Sequence, residues 1–232
     1  MERFTNLVIQ NFPNYKELAK EAFERDYNHQ WERPMYQGNA SFERLRGKYG
    51  NMPLTRQMII ELFKAKHYYD GFLCAMVWGN IGTYQNGRQR FESVFDENNK
   101  DNICLKLERV INLLEVGNLE TAYCSLFDSK QENGNAINGV GESFFTKLLY
   151  FAGANCDSLA VKPLIFDNNI KIFYKRLLNG LNERSPRGAY NRYIDYCSKM
   201  DAAARLLGLQ NSGYVEALLF RPDIRAYMST LI

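Results

Sequence analysis

"INGVGESFFTKLLYFAG", residues 137–153, sets two glycines around a valine and runs directly into an apolar segment that carries one lysine. Two glycines bracketing an apolar residue make a tight turn with positive φ, and they let the backbone come close to another molecule. The helix that follows opens with unpaired N–H groups at the positive end of its dipole, a seat for a phosphate. On a helical wheel Phe144, Phe145, Leu148, Leu149, Phe151 and Ala152 share one face, and Ser143, Thr146, Lys147 and Tyr150 share the other. The wheel therefore points Lys147 away from the core, one turn after Ser143. It leaves that lysine three roles: catalytic amine, phosphate contact or solvated side chain.

Working outward, apolar residues recur with a period near that of an α-helix almost everywhere, so the chain reads as all-α. "NYKELAKEAFERDYNHQW" places Leu18, Ala19, Ala22 and Phe23 on one face, and the helical run from Thr55 to Gly79 takes Thr55 as its N-cap. "DNICLKLERVINLLEVG" contributes Ile103, Leu105, Leu107, Ile111 and Leu114, with Gly117 as a stop. "NLETAYCSLF" is a further short helix, and the polar loop "DSKQENGNA" delivers the chain to the glycine turn. Beyond it, helices are expected over 142–152, 168–179, 188–208 and 212–219. The sequence thus predicts one unit over residues 1–232 in two helical lobes, with weak boundaries in the loops near 80–100 and 128–140.

Composition narrows the function. An apolar content of 46% over 232 residues supports a buried core. No apolar stretch is long enough for a membrane span, and the N-terminal segment lacks a leader pattern, so a cytoplasmic protein without membrane attachment is expected. Cys74, Cys104, Cys124, Cys156 and Cys197 are odd in number and widely spaced, as reduced core thiols are. With no closely spaced cysteines and with His29 and His67 the only histidines, neither a metal site nor a histidine triad is expected. Charge is uneven: residues 1–137 hold 17 Lys/Arg against 18 Asp/Glu, and residues 138–232 hold 12 against 8. The excess concentrates in 162–192, where Lys162, Lys171, Lys175, Arg176, Arg184, Arg187 and Arg192 face only Asp167 and Glu183. Such a band is a solvated face or a backbone contact for a nucleic acid.

The second informative stretch is "VKPLIFDNNIKIFYKRLL". Pro163 ends any preceding helix, Leu164, Ile165 and Phe166 read as buried, and Asp167 opens a new helix. An aspartate there is an N-cap, or else a carboxylate placed in a partly desolvated site.

Together the two stretches resemble the helix-hairpin-helix DNA glycosylases. "I-N-G-V-G-E-S" is similar to their "L-P-G-V-G" hairpin, and "P-L-I-F-D-N-N-I-K" is similar to the later segment in which an aspartate opens a helix. "ESFFTKLLYFAG", "PLIFDNNI" and "YVEALLF" resemble a bacterial 8-oxoguanine-glycosylase-like branch over residues 137–220, with "GFLCAMVWGNIG" from Gly71 a looser match. The 26 residues from Gly141 to Asp167 exceed the usual spacing, and a loop around "GANCDSLAVK" is expected to absorb the difference.

The resemblance implies an all-α fold with two lobes and a cleft, and cleavage of an N-glycosidic bond on a modified nucleotide flipped out of DNA. It implies a monomer that needs no cofactor and no metal. In it the hairpin over 137–152, through Gly139, Val140, Gly141 and Ser143, holds a DNA phosphate, and the segment 162–179 carries the essential carboxylate, Asp167. Lys171, Lys175, Arg184 and Arg187 join as backbone contacts, and Arg88 and Arg90 as rim residues. Bifunctional members carry a nucleophilic lysine where this chain has Ser143, so hydrolysis by Asp167 without strand nicking is favoured, with Lys147 as a displaced amine for a lyase step. Trp78, Tyr84 and the tyrosines at 190, 193 and 196 read as core, with stacking on a base as the alternative. The substrate implied is an oxidised purine such as 8-oxoguanine. Hypermodified bases of phage DNA, with a role in antiviral defence, and a non-catalytic helix-hairpin-helix DNA-binding module are the alternatives.

Overall fold

The structure is a computed structural model that describes residues 2–82, 87–127, 134–177 and 185–230, with the side chains of 176, 177, 228 and 229 left aside. Tyr84, Arg184 and the side chain of Arg176, all considered above, lie outside the described residues. Among those described there are thirteen α-helices, three short 3-10 helices and no strand, so the all-α expectation holds. In chain order the helices are α1 (Glu2–Asn11), α2 (Tyr15–Phe23), α3 (Ala40–Tyr49), α4 (Arg56–Lys64), α5 (Tyr68–Trp78), α6 (Gly87–Val94) and α7 (Lys100–Glu115). They continue with α8 (Leu119–Phe127), α9 (Glu142–Gly153), α10 (Asn168–Leu177), α11 (Pro186–Leu207), α12 (Ser212–Leu219) and α13 (Pro222–Thr230).

The chain divides into a terminal unit, residues 1–25 with 161–232, and a central unit, residues 26–160. The division falls at 25/26 and 160/161, and neither the loop near 80–100 nor that near 128–140 is a boundary. The physical reason is that the chain leaves the terminal unit after α2 and returns to it before α10, so a composition change within the central unit marks nothing.

Local chemistry accounts for the helix ends. Asn39 caps α3 by accepting from the Phe42 amide at 3.0 Å, and Thr55 caps α4 through the Met58 amide at 3.2 Å. Ser185 caps α11 through the Gly188 amide at 3.0 Å, with Pro186 in the first turn. The run from Thr55 to Gly79 is two helices, not one. Lys66 takes φ 61°, the His67 amide closes onto the Leu62 carbonyl at 2.9 Å, and α5 begins at Tyr68. No glycine or proline marks this break, which is why periodicity alone passes over it. Leu105 is 55% exposed, on the face of α7 opposite the buried Ile103, Leu107, Ile111 and Leu114.

In the central unit α5 and α9 are the inner helices: α5 is buried from Tyr69 to Trp78 and α9 from Phe145 to Gly153. Helix α9 packs against α4, α5, α7 and α8. In the terminal unit α12 is the inner helix, packed against α2, α11 and α13, and α1 lies on α11.

Candidate active site

The glycine turn is built as its sequence asks. The Val140 amide donates to the Ile137 carbonyl at 3.0 Å, closing a β-turn whose third residue, Gly139, has φ 81°. That place needs positive φ, which glycine adopts without strain. The close approach made here is intramolecular: a Cβ on Gly139 would stand 3.1 Å from both the Cα and the carbonyl oxygen of Arg90 in α6. Lys106 Nζ holds the Ala136 carbonyl at 2.6 Å, and the Asn135 amide holds the Ser125 carbonyl at 2.8 Å. Ile137 and Val140 are buried at 6% exposure, and the Val140 amide is spent inside the turn.

Gly141 is the N-cap of α9, extended at φ −79° and ψ −179°, with no side-chain cap on the first amides. Nothing lies within 4 Å of where its Cβ would be. The first-turn carboxylate, Glu142, is taken by the Tyr123 hydroxyl. Ser143 is partly exposed beside it. The Phe144 and Phe145 amides donate to the Gly141 carbonyl at 2.8 and 2.9 Å, and Gly141 adds no side chain to this helix N-terminus.

Lys147 does not point away from the core. It is 6% exposed, its Nζ donates to the Ser143 carbonyl at 2.6 Å, and the ammonium stands 4.8 Å from the centre of the Phe144 ring. Thr146 and Tyr150 of the same face are buried too, at 0% and 6%. The helical wheel separated two faces correctly but assumed that one met solvent. An inner helix has neighbours on both, and here the polar face packs on the end of α5 and on Arg56.

Asp167 caps α10. Its Oδ1 accepts from the Ile170 amide at 3.0 Å and its carbonyl from the Lys171 amide at 2.8 Å. Among the described residues Oδ2 makes no hydrogen bond or ion pair, and the side chain is partly exposed. The segment that aims it has no regular structure yet is buried, with Leu164 at 1% and Ile165 and Phe166 at 0%. Side chains bond its backbone at Leu164 and Ile165. The Tyr193 hydroxyl accepts from the Leu164 amide at 3.1 Å and donates to the Leu164 carbonyl at 2.9 Å, and the buried Glu216 carboxylate accepts from the Ile165 amide. The Phe166 ring is enclosed by Tyr174, Tyr193 and Tyr196, and Lys171 Nζ and Arg192 Cζ stand over it at 5.7 and 5.5 Å. Lys175 and Arg187 are exposed.

Four groups escaped the sequence reading. Arg56 is 2% exposed, with its guanidinium 5.0 Å over Trp78 and 5.3 Å over Tyr150. Its place at the head of the stripe Ile59, Ile60 and Phe63 was a usable signal. Glu216 is fully buried inside the apolar run "YVEALLF". Asp70 takes Arg44 and Lys48 at 3.0 Å and the Tyr49 hydroxyl at 2.9 Å. Burial works to raise its carboxyl, but the hydrogen bonds from Lys48, Tyr49 and Arg44 outweigh it and hold the group below the usual carboxylate range. Gly79 is the fourth, in contact with the stem of Lys147. Trp78 is 7% exposed with Arg56 over its face and Tyr27 and Phe151 against it, a core position.

Residues 19–220 match the family model described as "Putative 8-oxoguanine DNA glycosylase OGG-like protein". No curated protein and no solved structure matches the chain. No helix among the described residues is long and apolar enough to cross a membrane.

Proposed function

The chain belongs to the family of 8-oxoguanine DNA glycosylase OGG-like proteins, and from that premise we propose that it excises a modified base from DNA by hydrolysis, with Asp167 as the essential carboxylate. The observation that carries the reading is the state of Asp167. Oδ1 holds the Ile170 amide, as a cap does, and among the described residues Oδ2 of this partly exposed carboxylate makes no hydrogen bond or ion pair, so one oxygen remains for chemistry. The buried segment before it, held at Leu164 by the Tyr193 hydroxyl and at Ile165 by the Glu216 carboxylate, sets the direction in which that second oxygen is offered.

In the proposed reaction the target nucleotide leaves the stack, since its glycosidic bond is inaccessible within a duplex. The electron pair of the C1′–N bond departs with the base, which takes up a proton, and positive charge grows on the sugar opposite the carboxylate. A water adds to C1′ and gives its proton to Asp167. The hairpin holds a DNA phosphate where the chain enters α9, and Lys171, Lys175 and Arg187 add contacts to the backbone. Single-step hydrolysis, not a Schiff base, is supported by Lys147: its amine is buried and bonded to the Ser143 carbonyl. An oxidised purine such as 8-oxoguanine is the proposed substrate.

The test is incubation with duplexes carrying 8-oxoguanine and a panel of other modified bases, including bulky hypermodified bases of phage DNA. Abasic sites are scored with and without alkali. Release of 8-oxoguanine with strand scission only after alkali is expected. Release of a hypermodified base alone replaces the substrate, scission without alkali replaces the mechanism, and no release from any duplex ends the enzyme reading.

A further inference from the structure

One charge stands inside the apolar run "YVEALLF" of α12: Glu216 is fully buried, between Val215 at 0% and Ala217 at 1% exposure. Burying a carboxylate is costly unless hydrogen bonds compensate it, so what it accepts decides why it is there. One donor is the Ile165 amide, 51 positions earlier in the chain. That amide needs a partner. Residues 162–167 form no helix or strand and Ile165 is 0% exposed, so neither regular structure nor bulk water serves it. One residue earlier, the Tyr193 hydroxyl bonds both the amide and the carbonyl of Leu164, at 3.1 and 2.9 Å. One residue later, the Phe166 ring is enclosed by Tyr174, Tyr193 and Tyr196. Asp167 follows directly, and all of these residues belong to the terminal unit.

We propose that Glu216 is a positioning residue for base release: its carboxylate, acting through the Ile165 amide, holds the peptide that aims Asp167, and Tyr193 supports it one residue earlier. The proposal rests on the glycosylase reading given above. Three consecutive residues pinned from α10, α11 and α12 leave the chain little freedom of direction where Asp167 begins. A carboxylate that is to meet a growing positive charge must be in place beforehand, since a misplacement of about 1 Å costs on the order of a hundred-fold in rate. Asp167 has its own hold on the Ile170 amide, but that bond turns with the segment, and the segment takes its direction from Glu216. Packing alone does not call for an acceptor here. An apolar residue of the same length would fill the space in α12 and would leave the Ile165 amide bare.

The test compares Glu216→Met, Glu216→Gln and Tyr193→Phe in the full chain, with a duplex carrying 8-oxoguanine as the probe. Methionine keeps the length of the side chain and removes the acceptor, glutamine keeps an acceptor, and phenylalanine keeps the ring beside Phe166 and removes the hydroxyl. Glu216→Met is expected to slow single-turnover release by about ten- to a hundred-fold, with the affinity for the duplex unchanged. Tyr193→Phe is expected to slow it several-fold, and Glu216→Gln to stay near the parent rate. In an Asp167→Asn background the methionine is expected to slow release no further, because its effect acts through Asp167. Residue-resolved amide exchange reads the same hold without chemistry: the Ile170 amide, which reports the Asp167 carboxylate, should exchange faster in Glu216→Met together with Ile165. Parent-like release in Glu216→Met, a glutamine variant as slow as the methionine one, losses that add in the Asp167→Asn background, or faster exchange at Ile165 with none at Ile170 overturns the proposal. Should Glu216→Met no longer melt cooperatively, Tyr193→Phe decides: slower release with faster exchange at Ile170 supports the proposal, and parent values for both overturn it. A parent that releases no base defeats the glycosylase reading, while exchange at Ile170 still tests Glu216 by itself.

Discussion

Helices α9 and α10 begin in opposite ways. At α10 an aspartate closes the first turn from within, one carboxylate oxygen on the Ile170 amide and the other unbonded among the described residues. At α9 a glycine stands in the cap position with no side chain to close the turn and nothing in the space beside it. The first arrangement fixes a negative group and offers half of it outward, and the second offers a positive helix end without a side-chain cap. For a protein acting on DNA the two are complementary in charge: one suits a sugar becoming cationic, the other a phosphate that stays anionic. Helices α3, α4, α11 and α12 begin with side-chain caps, whereas α2, α5 and α7, like α9, begin without one.

The hardest blow to this comparison is Asp167→Asn. Asparagine caps about as well as aspartate, so the melting temperature should hardly move, while single-turnover base release should fall by roughly 10²–10⁴-fold and DNA binding should survive. Equal losses of stability and activity would make Asp167 only a cap. Asp70 is the control carboxylate, because three donors occupy it and none of it is left over. Asp70→Asn should leave release nearly intact and destabilise the fold by about 1–3 kcal/mol. Since Asp70's folded pKa lies below its unfolded one, its contribution is complete above about pH 4 and disappears as pH falls through the folded value. Melting curves taken into acid should therefore converge for parent and variant, and a gap that stays constant would contradict the assignment.

At the other junction the two hairpin glycines separate cleanly. Gly139→Ala places a Cβ at φ 81° against the Arg90 backbone and should cost about 1–2 kcal/mol, read as a lower melting temperature. Gly141→Ser meets neither strain nor a neighbour. It supplies the missing cap, worth a few tenths of a kcal/mol of stability, and that hydroxyl competes for the amides proposed to hold phosphate. Tighter folding with weaker DNA binding is the expected pair of results. Tighter folding with unchanged binding would mean that the open N-terminus of α9 seats nothing.

How much of this was legible follows from what periodicity and spacing encode. The helices around the hairpin and Asp167 were readable because caps, glycines and apolar spacing are local signals: α9, α11 and α12 lie within two residues of where their patterns place them. The burial of Lys147 was not, because a wheel records which residues share a face and not whether the facing side is solvent or another helix. Its decisive partner, Gly79, lies 68 positions earlier and gives no pattern at all. The break at Lys66 was equally silent, since a lysine stands where glycine usually does. Arg56 was readable in principle, as a charge in line with an apolar stripe.

The weakest expected effect concerns the exposed cations near Asp167. Lys175 and Arg187 reach solvent, whereas Lys171 lies over the buried Phe166 ring. If all three contact phosphates, replacing any one by alanine should lower the salt slope of DNA binding by about 0.9 and leave the base preference unchanged, because backbone contacts carry no sequence information. Their difference lies in packing. Lys171→Ala uncovers part of the ring that steers the Asp167 segment, so it alone should also slow base release in DNA already bound. A slope that drops for Lys175 and Arg187 with no change in that rate, beside a rate that drops for Lys171, would separate cations that merely hold DNA from the one that also holds the carboxylate in line.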